Sequence, residues 1–146
     1  MKKLSIKRSK RGFTLIELMV VVVIIAVLVV LGFRFYSGQV EKAKNTVTKA
    51  NVSTIQFFVQ AELIDDTVVE VNAYVTNASS VTSPNIYDDS GIHNPFTGEA
   101  QTANGVKGAD GLPGDIYVTE SDGIFYINGN DADGSDVFVN PLTARK

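Results

Sequence analysis

Residues 10–33 read KRGFTLIELMVVVVIIAVLVVLGF. Two cations lead into Gly12, an apolar run begins at Phe13, and one carboxylate, Glu17, stands near the start of that run. Leu18 to Phe33 is 16 residues without a charge. Together with Phe13–Glu17 this makes 21 residues, or about 31 Å of helix at 1.5 Å per residue. That length matches a hydrocarbon core of roughly 30 Å. A carboxylate at membrane depth is costly, about 2.5–3.5 kcal/mol for a central acidic residue on insertion scales. Such a group marks function and calls for a partner that offsets its cost.

Working outward, the charges are segregated. Residues 1–12 hold six cations (Lys2, Lys3, Lys7, Arg8, Lys10 and Arg11), and all 16 acids lie after Gly12. Seven cations remain in the acidic body, which therefore does not attract phosphate backbones by bulk electrostatics; no nucleic-acid partner is expected. The basic head belongs with targeting rather than with the fold. The positive-inside rule puts that head in the cytoplasm and the body outside. Arg34, Lys42, Lys44 and Lys49 follow the span, but at lower density. Cysteine is absent, so disulfides and thiolate metal sites are excluded. From Arg34 onward 113 residues remain, enough for one modest core.

Three readings fit an apolar N-terminal segment. A secretory signal peptide has an apolar region of 7–15 residues followed by small residues at a cleavage site. Here the run is longer, and Arg34-Phe35-Tyr36 follows it. A plain single-pass anchor leaves Glu17 and the Gly12–Phe13 junction unexplained. In the third reading, Gly12-Phe13-Thr14-Leu15-Ile16-Glu17 resembles the junction of type IV prepilins. The close resemblance covers about residues 8–60.

The resemblance implies cleavage after Gly12 by a prepilin peptidase on the cytoplasmic side, with methylation of the new amine at Phe13. It makes Gly12 and Phe13 the processing residues, and Phe13 and Glu17 the subunit-assembly residues. It also implies the pilin fold, a helical homo-oligomer, an assembly platform and ATPase as partners, and a passage from cytoplasmic membrane to cell-surface filament. Physically, Glu17 lies one helical turn from Phe13, so the amine has a partner either in its own chain or in a staggered neighbour. The expected function is a structural type IV pilin. A pseudopilin of a type II secretion or competence (DNA-uptake) system shares this N-terminus. From another class, a membrane-tethered extracellular binding domain is the rival. The chain departs from many pilins in two places. Arg34 stands where they carry a helix-breaking proline, and it lacks the cysteines that close their C-terminal loop. The second departure leans toward a Gram-positive source or a pseudopilin.

Three segments are expected: a leader at 1–12, a membrane and filament-core helix at 13–33, and a globular part at 34–146. The helical pattern continues past Phe33 to about Ile64. Val40, Ala43, Val47, Ala50, Thr54, Phe58 and Ala61 recur at steps of three and four and form one face. Val52, Ile55, Phe57 and Val59 widen it, as if a sheet covers that portion. Thr67 with Glu70 reads as a capping box opening a second helix with Val68, Val71 and Val75 on one side, although a strand is also compatible. Residues 76–114 read as a long irregular connection. IYVTE, IFYIN and VFVN read as an antiparallel meander, with a hairpin at Asp122-Gly123. The fold class expected is therefore α+β, a long N-terminal helix packed by a small antiparallel C-terminal sheet.

Asp131, Asp133 and Asp136 crowd one turn with Asn128 and Asn130. Hard oxygens at that spacing suit calcium, but the same residues dominate turns for backbone reasons, and the turn is the preferred reading. No cofactor is expected otherwise. His93 is the only histidine, and no nucleophile motif accompanies it, so no enzyme activity is expected. Phe33, Phe35, Tyr36, Phe57 and Phe58 read as packing and interface rings rather than a conducting path.

Overall fold

The structure is a computed structural model describing residues 12–76 and 85–146. The basic leader up to Arg11 and part of the expected irregular connection, 77–84, lie outside them. Helix α1 spans Leu15–Asp65, α2 Val68–Thr76 and α3 Ile86–Ser90. A 3-10 turn at Gly108–Asp110 precedes strands β1 (Ile116–Ser121), β2 (Ile124–Gly129) and β3 (Leu142–Arg145). A long helix and a three-stranded antiparallel sheet in the order β1-β2-β3 give the α+β arrangement of the pilin fold.

The chain divides into two compact units, Met1–Gly38 and Gln39–Lys146. The described part of the first is almost wholly helix, with its large apolar side chains exposed. Helix α1 runs without interruption through Gly32, Arg34 and Gly38. No proline removes a backbone donor there, and glycine costs only about 1 kcal/mol against alanine.

In the second unit, Thr48, Val52, Ile55, Val59 and Leu63 are the buried residues of α1. The last four join Val71, Val75, Ile86, Tyr87, Ile116, Val118, Phe125, Ile127 and Ala144 in one core. At Gly129, β2 runs close against the helix: a Cβ there would stand 2.9 Å from Cγ2 of Thr48 and 3.2 Å from Cγ2 of Val52. Helix α2 opens as its spacing predicts. The amide and hydroxyl of Thr67 donate to Glu70 Oε2 at 2.9 and 2.7 Å, and the Glu70 amide donates back to Thr67 Oγ1 at 3.3 Å. The hairpin is also as expected, with Ser121 opposite Ile124 and φ values of 54° and 77° at Asp122 and Gly123. Positive φ at both central residues matches the right-handed twist of the flanking strands.

Two expectations are corrected. The helix face through Ala43, Val47, Ala50 and Ala61 does not carry the core; those four residues are exposed, and Thr54 and Phe58 are only half-buried. The core takes the stripe from Thr48 to Leu63, more than a quarter-turn away. Periodicity shows that a stripe is apolar, and this helix has two. The segment VFVN is not the third strand. Asn128 of β2 reaches across and holds Phe138 at both backbone groups, donating to its carbonyl at 2.8 Å and accepting from its amide at 3.1 Å. Those groups are then occupied by a side chain, and the ladder resumes only after Pro141, with Leu142–Arg145 pairing with β2.

Side-chain amides also close both sheet edges. On β1, Gln101 exchanges two hydrogen bonds with the backbone of Ile116 (2.6 and 3.0 Å) and Asn104 two with Val118 (3.0 and 2.8 Å). On β3, Gln56 of α1 donates to the Thr143 carbonyl at 2.8 Å and Gln60 to that of Arg145 at 3.1 Å. An open edge is a template for pairing with another chain, and here side chains occupy part of each.

The two helix faces separate in a denaturation experiment. Ile55→Ala is expected to cost about 2–5 kcal/mol, as for a buried aliphatic cut to alanine, and Val47→Ala less than about 0.5 kcal/mol, as for an exposed site. Urea titration of a chain starting at Gly38 measures both. Equal losses would return the core to the face that the sequence favours.

Candidate functional site

Gly12, Phe13 and Thr14 precede the first helical turn, and α1 begins at Leu15. Thr14 is its N-cap. Its hydroxyl accepts from the Glu17 amide at 3.3 Å, and its carbonyl accepts the helix bond from Leu18 at 3.3 Å. Glu17 answers: one oxygen, Oε2, accepts from the Thr14 amide and from the Thr14 hydroxyl, both at 2.8 Å. This is a capping box, the same reciprocal arrangement as Thr67 with Glu70. The carboxylate also sits at the positive end of the helix dipole. Its second oxygen, Oε1, makes no hydrogen bond among the described residues. Phe13 is 87% exposed.

The sequence offers the Phe13 amine as the partner of Glu17, and the structure adds Thr14. The contribution of Thr14 went unread, although the Thr-x-x-Glu spacing that identified Thr67 and Glu70 occurs here too. The box matters because it fixes the carboxylate at one end of an exposed apolar helix. That helix is long and apolar enough to cross a membrane, and none of its most apolar stretch is buried.

With that geometry in place, the comparison with known families is decisive for one segment. Residues 7–33 carry the prokaryotic N-terminal methylation motif. The motif is the leader signature of type IV pilins and pseudopilins. It spans Gly12, Phe13, Thr14 and Glu17 and the apolar shaft as far as Phe33. It supports a pilin- or pseudopilin-like protein and fits anchoring in a membrane through α1. No curated protein and no solved structure matches the chain.

The acidic turn of the second unit is engaged otherwise. Asp131 Oδ1 accepts from the amides of Asp133 and Ser135, both at 2.9 Å. Asp136 accepts a short hydrogen bond from the Tyr117 hydroxyl and lies 3.8 Å from the Lys107 ammonium. Burial, and then this bond, push the Tyr117 hydroxyl well above its ordinary pKa. Asp133 is exposed. Asp131 and Asp136 thus face different partners, and among the described residues no group of three or more acids or histidines is placed to hold a metal. His93 is exposed, with Nδ1 3.0 Å from the Gly91 carbonyl. Phe57 and Phe58 meet edge to face at 6.2 Å, and Phe57 stays exposed.

For the turn, chelator is expected to leave the melting temperature unchanged. A cation bound at 100 times its Kd would add about 2.7 kcal/mol, a shift of several degrees at roughly 4–8 °C per kcal/mol in a domain this small. A drop with chelator that calcium restores and magnesium does not would establish a calcium site at Asp131, Asp133 and Asp136.

Proposed function

We propose that this chain is a structural subunit of a type IV pilus, released from its leader between Gly12 and Phe13 and assembled through α1. The observation that carries this reading is the capped carboxylate of Glu17, the fifth residue after the junction, at the head of an apolar stretch of α1 that no described residue buries. Gly12 and Phe13 are the processing residues. Hydrolysis of their peptide bond frees an amine at Phe13, which prepilin peptidase methylates. Glu17 is the assembly residue. Its Oε2 holds the helix start, and its Oε1 is left to receive the Phe13 amine of a neighbouring subunit. Pairing offsets the cost of both buried charges, and a charge pair at a defined depth sets the register of the stack. Burial of the apolar shafts against each other supplies the driving force. The assembly platform and its ATPase are the further partners, and the membrane holds the chain before assembly. A pseudopilin would use the same N-terminal chemistry; recovery of the subunit in filaments sheared from the cell surface separates the two.

Two outcomes test this. The mature chain is expected to begin at Phe13 with one added methyl group, read from intact mass and the N-terminal peptide. A start at Met1 or near Arg34 would overturn the proposal. Glu17→Ala is expected to insert and be cleaved normally, yet to lower filament yield at least tenfold in a strain expressing only that variant. Unchanged yield would overturn the pairing role, since loss of the charge by itself eases insertion.

A further inference from the structure

Two Asn-Gly pairs occur in the chain, Asn104-Gly105 and Asn128-Gly129. An asparagine followed by glycine is chemically self-reactive. Glycine has no Cβ to hinder its own amide nitrogen, which can close on the asparagine Cγ and expel ammonia. The fold treats the two pairs differently. Asn128 and Gly129 lie inside β2, with β1 on one side and β3 on the other, and Asn128 is buried. Ring closure there would have to break the sheet. Asn104 and Gly105 lie in the connection ahead of β1 and are half-buried.

Only a few hydrogen bonds hold this second pair. Asn104 Oδ1 accepts from the Val118 amide at 2.8 Å and from the Tyr87 hydroxyl at 2.6 Å, and Asn104 Nδ2 donates to the Val118 carbonyl at 3.0 Å. The Gly105 amide donates to the Ile116 carbonyl at 2.7 Å. The attacking nitrogen and the amide it would attack are thus each tied to β1, in separate bonds. Glycine is required at this position, since a Cβ would stand 2.6 Å from the Ile116 carbonyl oxygen. The closure of the β1 edge therefore needs both members of the reactive pair, asparagine to hold Val118 and glycine to allow the close approach.

We propose that Asn104 is a fold-gated modification site, protected while it seals the β1 edge and converted when its loop opens. Local opening frees both groups. The Gly105 nitrogen then gives its proton to a solvent base and bonds to Cγ of Asn104, the Cγ–Nδ2 bond breaks, ammonia leaves, and a succinimide forms. Water opens the ring to aspartate, or to isoaspartate with the main chain running through the former side-chain carbonyl. Neither product restores the docked arrangement. A carboxylate donates no hydrogen bond, so the Val118 carbonyl loses its partner and faces a negative charge. Isoaspartate also lengthens the main chain by one carbon. The edge of β1 stays open, a template for pairing with another chain. A transient opening becomes a permanent mark. The site operates within a single chain and does not depend on assembly.

The full chain is held in detergent at mildly alkaline pH, native and in urea, and the peptide carrying Asn104 is followed by mass spectrometry. Conversion is expected to be at least tenfold slower in the native protein. Equal rates, or no conversion in urea, would overturn the proposal. Tyr87→Phe removes one bond to Asn104 and keeps the ring in the core. It is expected to speed native conversion severalfold and to leave the rate in urea unchanged; a native rate equal to that of the unsubstituted chain would overturn the gating by these bonds. Asn104→Asp reproduces one product. Its β1 amides are expected to exchange with deuterium at least tenfold faster than in the unsubstituted chain, relative to the amides of β3. Unchanged exchange, or equal acceleration in β3, would overturn the claim that the product leaves the edge open.

Discussion

Helix α1 carries far more apolar surface than its own globular unit covers. The unit buries one stripe, from Thr48 to Leu63. The run from Phe13 to Tyr36 remains exposed, as does a second stripe through Val47, Phe57 and Ile64. Each such side chain is worth roughly 1.5–3 kcal/mol when fully withdrawn from water, so a run of this length outweighs the 5–15 kcal/mol net stability of a typical domain. A chain built this way must place α1 in another apolar medium. On the proposed reading lipid meets the need before assembly, and other copies of α1 meet it afterwards.

Apolar burial has no direction, so specificity must come from elsewhere. The Thr14–Glu17 capping box supplies one fixed point. It ties one carboxylate oxygen to the helix start and leaves the other without a partner in the described chain. The sheet edges provide the opposite constraint. Gln101 and Asn104 on one side, and Gln56 and Gln60 on the other, occupy backbone groups that would otherwise recruit a strand. The longest exposed apolar surface among the described residues is then that of the helix.

The parts legible in the sequence were those governed by local chemistry. The Thr67–Glu70 box and the Asp122–Gly123 hairpin each depend on a few adjacent residues, and the structure shows both; the methylation motif over residues 7–33 is legible on the same local ground. The extent of α1 was legible because its pattern is long and unbroken. Which stripe of α1 carries the core was not, because two apolar stripes compete and the choice depends on where the sheet lands. Gly129 and the Gln56 and Gln60 contacts with β3 fix that choice from 60 or more residues away in sequence. The third strand was misplaced for a similar reason. VFVN alternates well enough, but Asn128 takes the backbone groups of Phe138 that a ladder would need, and periodicity carries no information about such a competitor. The Thr14 cap is legible in the same way, since Thr14 and Glu17 have the spacing of Thr67 and Glu70.

The central claim is that the α1 shaft exchanges lipid for copies of itself. A fluorophore sensitive to polarity, attached to cysteine in Ala26→Cys, tests it when brominated lipids serve as quenchers. The account predicts blue-shifted emission in both the membrane pool and the filaments, with quenching by brominated lipid in the membrane pool alone. Red-shifted, water-exposed emission in either pool, or lipid quenching that persists in filaments, would contradict it.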